Sequence, residues 1–359
     1  MLSHMVTTPR ALPAAVLLAA VTAPVATADP APRTELIGET TLPHAMRFEG
    51  TTVGGLSGID HDPATDEYLL ISDDRSQRQP ARTYTGRFEG GEFRLTGTHP
   101  LLRPDGSTYP PGSVDPEDVR YDPRSGRTWW TSEGERGDRL IDPAIRSAGA
   151  DGRHTGGIPI ADNLRMAAET GPGQNEALEG LTFAAGGALL VTAMEGPLLQ
   201  DGESPTTEHG ALARLTVQDR TGRVLGQHAY PLDPVFAESP TGDAGNNGIS
   251  AILSDGRGGY LVVERSYVSG VGNSIRIYRA DPRGATDVQH VDSLADAEVR
   301  PVRKRLLADL SEFDLSAVDN IEGITWGPRL PDGRRTLVLV SDDNFSAGQT
   351  TQLITLAVR

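Results

Sequence analysis

Carboxylates recur in this chain at the two ends of short apolar stretches. The last copy opens Asn320-Ile321-Glu322-Gly323, turns at Pro331-Asp332-Gly333 and closes Ser341-Asp342-Asp343-Asn344. Earlier copies open on Gly55-Leu56-Ser57-Gly58, Pro116-Glu117-Asp118, Leu178-Glu179-Gly180 and Ile249-Ser250-Ala251. They close on Ser72-Asp73-Asp74, Ser132-Glu133-Gly134, Met194-Glu195-Gly196 and Val263-Glu264-Arg265. The repeated slots therefore hold Glu117, Glu179 and Glu322 at the openings and Asp73, Glu133, Glu195, Glu264 and Asp342 at the closings. Eight carboxylates on one surface need cations, protons or arginines to coexist. Hard divalent ions take six to eight oxygens, which makes Ca2+ the expected cofactor and these eight residues the candidate ligands. Zinc is not expected, because Cys is absent and the eight His lack ligand spacing. The competing reading is that each acid caps a turn or binds backbone amides.

Arg75, Arg136 and Arg265 follow closing acids in three copies. A guanidinium fork beside a metal is suited to clamping phosphate, although an ion pair with the preceding acid explains each one equally simply. Glu179, Glu322, Arg75 and Arg265 are the catalytic candidates, with metal-activated water as the attacking group. A protein nucleophile is not expected: thiol chemistry is excluded, and the glycines around Ser57 do not have nucleophile-elbow spacing. His61, His154, His209 and His228 are conceivable bases, and nothing singles one out.

Residues so far apart must be brought together by the fold. The opening positions Ser57, Glu117, Glu179, Ser250 and Glu322 are 60, 62, 71 and 72 residues apart. Each interval contains several short strand-like runs, the mark of a radial all-β array. The expected fold is a single β-propeller of five blades, or six if residues 285–316 form an irregular one. The innermost strand of each blade then lines a central channel, and repeat-equivalent residues converge on the axis. Thr34–Leu42 has no partner nearby in sequence, while the last copy is one strand short. Thr34–Leu42 and Thr351–Val358 are therefore expected to close the ring within one blade. Further strands are expected at residues 139–146, 154–160, 211–217, 224–230 and 274–279. Residues 299–315 and 160–168 carry weak helical periodicity, and residues 303–309 also read as a strand.

The formal charge of −16 argues against a nucleic-acid partner. Arg10, an apolar run over residues 11–25 and Ala26-Thr27-Ala28 read as a secretory signal peptide over residues 1–28. Pro13 and Pro24 break that run, which is short for a membrane anchor. The mature chain, 29–359, is expected to be extracellular, monomeric and detached from the membrane after cleavage.

The openings DPEDV, EALEGL and NIEGI, the closings SDDR, SEGE and SDDN, and the VRPVRKRLL block together resemble the secreted esterase-like activity of phytase family, or phytase-like domain, over nearly all of residues 42–356. The resemblance implies a propeller and a calcium-dependent ester hydrolase of phytase type, acting on a small molecule. A phosphoric ester is the first expectation. The paucity of Lys, at one residue, makes phytate itself a poor fit. The alternatives are a calcium-dependent lactonase or carboxylic-ester hydrolase, or a non-catalytic binding propeller with structural calcium.

Overall fold

Runs such as Tyr-Leu-Leu-Ile at 68–71 and Thr-Leu-Val-Leu-Val at 336–340 lack the apolar–polar alternation of a half-buried strand. The computed structural model, which describes residue 1 and residues 34–137 and 139–359, shows why. Both faces of these strands are buried. Tyr68 and Leu70 pack toward the last blade, whereas Leu69 and Ile71 pack toward the second. Leu337 and Leu339 likewise face the fourth blade, while Val338 and Val340 face the first. The signal peptide expected at 1–28 lies outside the described residues.

Five four-stranded antiparallel sheets form the five blades of a β-propeller. Blade 1 holds Leu56–Asp62, Glu67–Ser72, Arg82–Glu89 and Glu92–Pro100; blade 2 holds Pro116–Tyr121, Thr128–Ser132, Ala144–Ala148 and His154–Ile158. Blade 3 holds Leu178–Ala184, Leu189–Met194, Leu212–Asp219 and Val224–Pro231; blade 4 holds Asn246–Ser254, Tyr260–Val268, Gly272–Asp281 and Arg303–Asp309. Blade 5 runs Ile321–Gly327, Arg335–Ser341, Thr351–Val358 and, outermost, Thr34–Leu42. The N-terminal strand pairs antiparallel with the C-terminal one from Thr34↔Val358 to Leu42↔Thr351, so the chain ends close the ring as expected. Five apolar layers, one between each neighbouring pair of blades, supply the core.

Three local expectations are corrected. Residues 299–315 do not form a helix: Arg303–Asp309 is the outer strand of blade 4, followed by a single 3-10 turn, Leu310–Glu312. Strand pairing along Gly272–Asp281 overrides the weak helical pattern. This placement also leaves no sixth blade in residues 285–316. Blade 2 does not use residues 139–143, because Leu140–Ile141 pairs instead with Glu135–Arg136 as a small ribbon. Of residues 160–168, only Asp162–Leu164 is helical, as one 3-10 turn.

Candidate metal centre at the mouth of the propeller

Every innermost strand carries a register irregularity near its start. Pairing jumps from Leu56 to Gly58, Pro116 to Val119, Leu178 to Gly180, Ile249 to Ala251 and Ile321 to Gly323. The residues left unpaired are Ser57, Glu117 with Asp118, Glu179, Ser250 and Glu322. These include all five opening slots. A β-bulge turns one side chain out of the pleat, and here it brings the three glutamates to the propeller mouth, while the Ser57 and Ser250 hydroxyls donate to Pro116 O (3.4 Å) and Ile321 O (2.8 Å) of the next inner strand. In blades 1, 3 and 5 the residue following the slot is glycine, because neighbouring inner strands almost touch there. A Cβ on Gly180 would lie 2.8 Å from Ile252 Cγ2 and 3.0 Å from Ile252 N.

The closing slot is fixed by the residue that pairs with the one before each bulge. These partners are Ser72, Ser132, Met194, Glu264 and Ser341. The next residue in each blade is Asp73, Glu133, Glu195, Arg265 and Asp342. Glu264 is thus one position out of register, and a one-residue slip sends its side chain to the other side of the sheet. Its carboxylate accepts bonds from the Tyr230 hydroxyl (2.7 Å), Asp233 N (3.0 Å), Asn247 Nδ2 (3.1 Å) and Lys304 Nζ (2.5 Å). Those partners tie blade 3 to blade 4, so Glu264 is not a ring ligand. Arg265 holds its place in the ring.

Blade 2 adds an acid that repeat spacing did not reveal. Asp115 lies two residues before Glu117, where the other copies have Gly55, Ala177, Gly248 and Asn320. With no acid at that position in the other copies, no periodic signal marked it. Asp115, Glu117 and Glu133 place one oxygen each within 4.8 Å of one another, and so do Glu133, Glu179 and Glu195. Both trios are buried, and they share Glu133. Asp73, Glu322 and Asp342 complete the rim from blades 1 and 5, outside the trios. Asn320 Nδ2 donates to Glu322 Oε1 at 2.9 Å.

Burial and mutual repulsion hold protons on these groups. Burial, with Glu133 nearby, pushes Asp115 up to about 8 against the pull of Arg75. Burial and then Glu195 push Glu133 up to about 7. Burial also brings Glu195 to about 7, with Arg265 opposing the rise and Glu322 adding to it. Burial raises Glu117 and Glu179 well above the carboxylate range, helped at Glu117 by Glu179 and then Asp115 and Glu133, and at Glu179 by Glu195 and then Glu133. Burial does the same for Asp73 and Asp342, which sit near each other and Glu322. Glu322 is raised by burial despite Arg265.

The two arginines do not neutralise this set. Arg75 meets Asp115 through Nε–Oδ1 (2.8 Å) and Nη2–Oδ2 (2.6 Å), with Glu133 at 3.8 Å. Arg265 Nη2 meets Glu195 Oε1 at 2.8 Å and Glu322 Oε1 at 3.9 Å. Glu195 Oε2 and Arg265 Nε are buried without a hydrogen bond, and Asp115 Oδ2 sits at an angle that makes none. Orphaned buried oxygens inside clusters of hard donors are the chemistry of a cation site. The donor set therefore fits a metal ion bound by Asp115, Glu117, Glu133, Glu179 and Glu195. Arg136 stands apart: it donates to Pro172 O (2.5 Å), Ala167 O and Thr170 O (2.7 Å each), organising a loop. Among the conceivable bases, His61 pairs with Asp66 at 2.9 Å and His209 Nδ1 lies 3.0 Å from Gly210 O, contacts outside the ring.

Beneath the ring the axis is closed. Arg120, fully buried, donates to Leu181 O (2.7 Å), Ile59 O (2.5 Å), Ile252 O (3.0 Å) and Val119 O (3.0 Å), and pairs with Asp118 at 3.0 Å. One guanidinium thus ties together the inner strands of four blades. It forms a floor beneath the ring where those strands converge.

No protein of curated function matches the sequence. Among solved structures, the chain is similar to a periplasmic gluconolactonase of Pseudomonas aeruginosa (13% identity, 86% of each chain, TM-score 0.37). It is also similar to a Leishmania mexicana mannose phosphorylase (11% identity, 89% of this chain and 88% of that one, TM-score 0.47). A Bacillus subtilis arabinanase is a third similar structure (14% identity, 83% and 93%, TM-score 0.44). The sequence profile described as esterase-like activity of phytase matches residues 51–345, and the chain belongs to this phytase-like family.

Proposed function

We propose that the protein is an exported, monomeric, calcium-dependent ester hydrolase whose substrate is a small phosphoric ester. The reading is carried by the two buried carboxylate trios that share Glu133, with Glu195 Oε2 left unbonded in the second. Family membership supports the hydrolase class. The Arg10, apolar 11–25 and Ala26-Thr27-Ala28 pattern supports export.

Asp115, Glu117, Glu133, Glu179 and Glu195 would hold calcium, which supplies charge neutralisation and an acidified water when bound. Asp115 with these four, and Asp73, Glu322 and Asp342, make eight carboxylates against two guanidiniums. Two divalent ions would remove most of that excess and let an anionic ester approach. Glu322 belongs to neither trio, and its Oε1 is oriented by Asn320 and Arg265. Its other oxygen would take the proton of the attacking water as the new P–O bond forms and return it to the departing alkoxide as the ester P–O bond breaks. Arg265 offers an unsatisfied Nε–H to an ester oxyanion, and Arg75 fixes the opposite edge. The floor made by Arg120 keeps bulk water from entering along the axis.

The test is turnover of phosphomonoesters, phosphodiesters, lactones and aryl esters, with calcium or with EDTA. Calcium-dependent phosphoester turnover, lost in Glu322→Gln, is expected. Turnover confined to lactones or aryl esters moves the substrate to the carboxylic-ester class. Calcium stabilisation with no turnover of any class refutes the hydrolase reading.

A further inference from the structure

Blades 4 and 5 carry arginines of two kinds. Arg276, Arg283, Arg303 and Arg334 each have a carboxylate within 3.0 Å. Arg257, Arg279, Arg305, Arg329 and Arg335 have none among the described residues, in a chain with a formal charge of −16. The unpaired five gather where the interblade core ends, on the face opposite the ring. Arg257 lies in the turn after inner strand Asn246–Ser254, and Arg329 in the turn after Ile321–Gly327. Arg335 begins the next strand. Arg279 stands directly opposite Arg305 in the antiparallel register, so two like charges share one face of the sheet.

This cluster is built as well as charged. Trp326 Nε1 donates to Ser254 O at 2.9 Å, which fixes the indole across the blade boundary. The Arg335 guanidinium stacks 3.3 Å from the centre of that indole and donates to Asp255 O at 3.2 Å. Stacking leaves the guanidinium's N–H edge free for an oxyanion. Arg279 Nε is buried and has no acceptor. Burial first, then the charges of Arg329, Arg257 and Arg279, bring Arg335 down to about 10, with the Asp255 carboxylate opposing. Glu322 and Trp326 lie near opposite ends of a seven-residue strand, four residues apart, which separates this cluster from the ring by roughly 13 Å.

We propose that Arg257, Arg279, Arg305, Arg329 and Arg335 form a second binding site, for a phosphate-type oxyanion, on the face opposite the acidic ring. A carboxylate brings one charge, which one or two guanidiniums satisfy. A cluster of five matches a multiply charged group with several oxygens. The phosphate can be the free ion or a unit of a phosphate polymer. The site does not depend on the hydrolase reading.

The experiment is calorimetric titration of the full chain, in EDTA at low salt, with inorganic phosphate and with polyphosphate. Saturable binding is expected, weakening as salt rises. Arg257→Gln and Arg329→Gln, both at exposed turn positions, should each weaken it about tenfold, the effect of one lost charge-assisted contact. Equal affinity per phosphate identifies the free ion; affinity more than tenfold higher for the polymer identifies the chain-borne group. Glu133→Gln should bind phosphate normally. Absence of binding to both probes, unchanged binding in both arginine variants, or loss of binding in Glu133→Gln each overturns the proposal.

Discussion

Glu133 belongs to both carboxylate trios, so Glu133→Gln should have two opposite effects on stability. Without calcium the variant should be the more stable protein near pH 8. The carboxyl rises from an ordinary 4.5 to about 7, so its ionised form costs roughly 3 kcal/mol at about 1.4 kcal/mol per pH unit. Gln keeps the oxygen that accepts from Ala177 N at 2.9 Å. It loses the long contact to Arg75 at 3.8 Å, worth about 1 kcal/mol or less. The balance is a gain of about 2 kcal/mol, or about 3 °C in Tm for a chain of this length. The pH dependence follows from the direction of the shift. A raised carboxylate pKa means that the folded chain keeps a proton the unfolded chain has released. The contribution of Glu133 to wild-type stability is therefore full at low pH and is lost as pH rises from about 4.5 through 7. The advantage of the variant should shrink toward zero at pH 5. With calcium at a hundred times Kd, wild type gains about 2.7 kcal/mol per site. Glu133→Gln should lose that response at both trios, and Glu117→Gln at one. Scanning calorimetry at pH 5 and 8, in EDTA and in calcium, reads all of these. A variant less stable than wild type in EDTA at pH 8, or one that keeps the full calcium response, refutes the reasoning.

Arg120→Met should strip four carbonyls and Asp118 of their shared partner, costing about 4 kcal/mol and about 6 °C in Tm. Adding Asp118→Asn should recover part of it, and a loss below about 1 kcal/mol by denaturant titration would contradict the axial role. Gly55 has φ +62°, and an added Cβ would lie 2.0 Å from Asp73 Oδ1. Gly55→Ala should therefore cost about 1–2 kcal/mol and displace Asp73; an unchanged Tm with unchanged calcium affinity would rule out that contact. Removing Thr34–Leu42 should bare the edge of Thr351–Val358 and drive self-association in light scattering, while a stable monomer would show that closure is dispensable.

The architecture was legible because the repeat writes the same opening and closing in each blade. Chain-end closure was legible too, because Thr34–Leu42 had no local partner and the last repeat lacked a strand. Outer elements were harder to read. Residues 299–315 mix charges with leucines at spacings that suit either period, and the edge of Gly272–Asp281 decided for a strand. At the site, slots that obey the repeat were visible, and the residues that break it were not. Asp115 has no acidic counterpart in four of the five copies. Arg120 occupies the position held elsewhere by Asp60, Thr182, Leu253 and Thr325, so only three-dimensional convergence on the axis reveals it.

Blade 4 shows how the departures from the repeat shape the site. A perfect fivefold ring would place an opening acid and a closing acid in every blade and spread ten carboxylates evenly. Blade 4 instead offers Ser250 and Arg265, and the Ser250 hydroxyl donates to Ile321 O at 2.8 Å rather than to the mouth. Its second strand, Tyr260–Val268, continues beyond the ring, whereas those of blades 1, 2, 3 and 5 stop at it. The pairing of Glu264 with Ile249 just before the bulge puts Arg265, not Glu264, in line with the closing acids. With a cation contributed from blade 4 and an additional acid, Asp115, from blade 2, charge becomes lopsided. The carboxylate trios fall in blades 2 and 3, and Arg265 faces them beside Glu195. An even ring would present a uniform negative rim to an anionic ester. The lopsided one gives each carboxylate trio a guanidinium at its edge, Arg75 at Asp115 and Arg265 at Glu195, and leaves the remaining acids of each trio to face one another.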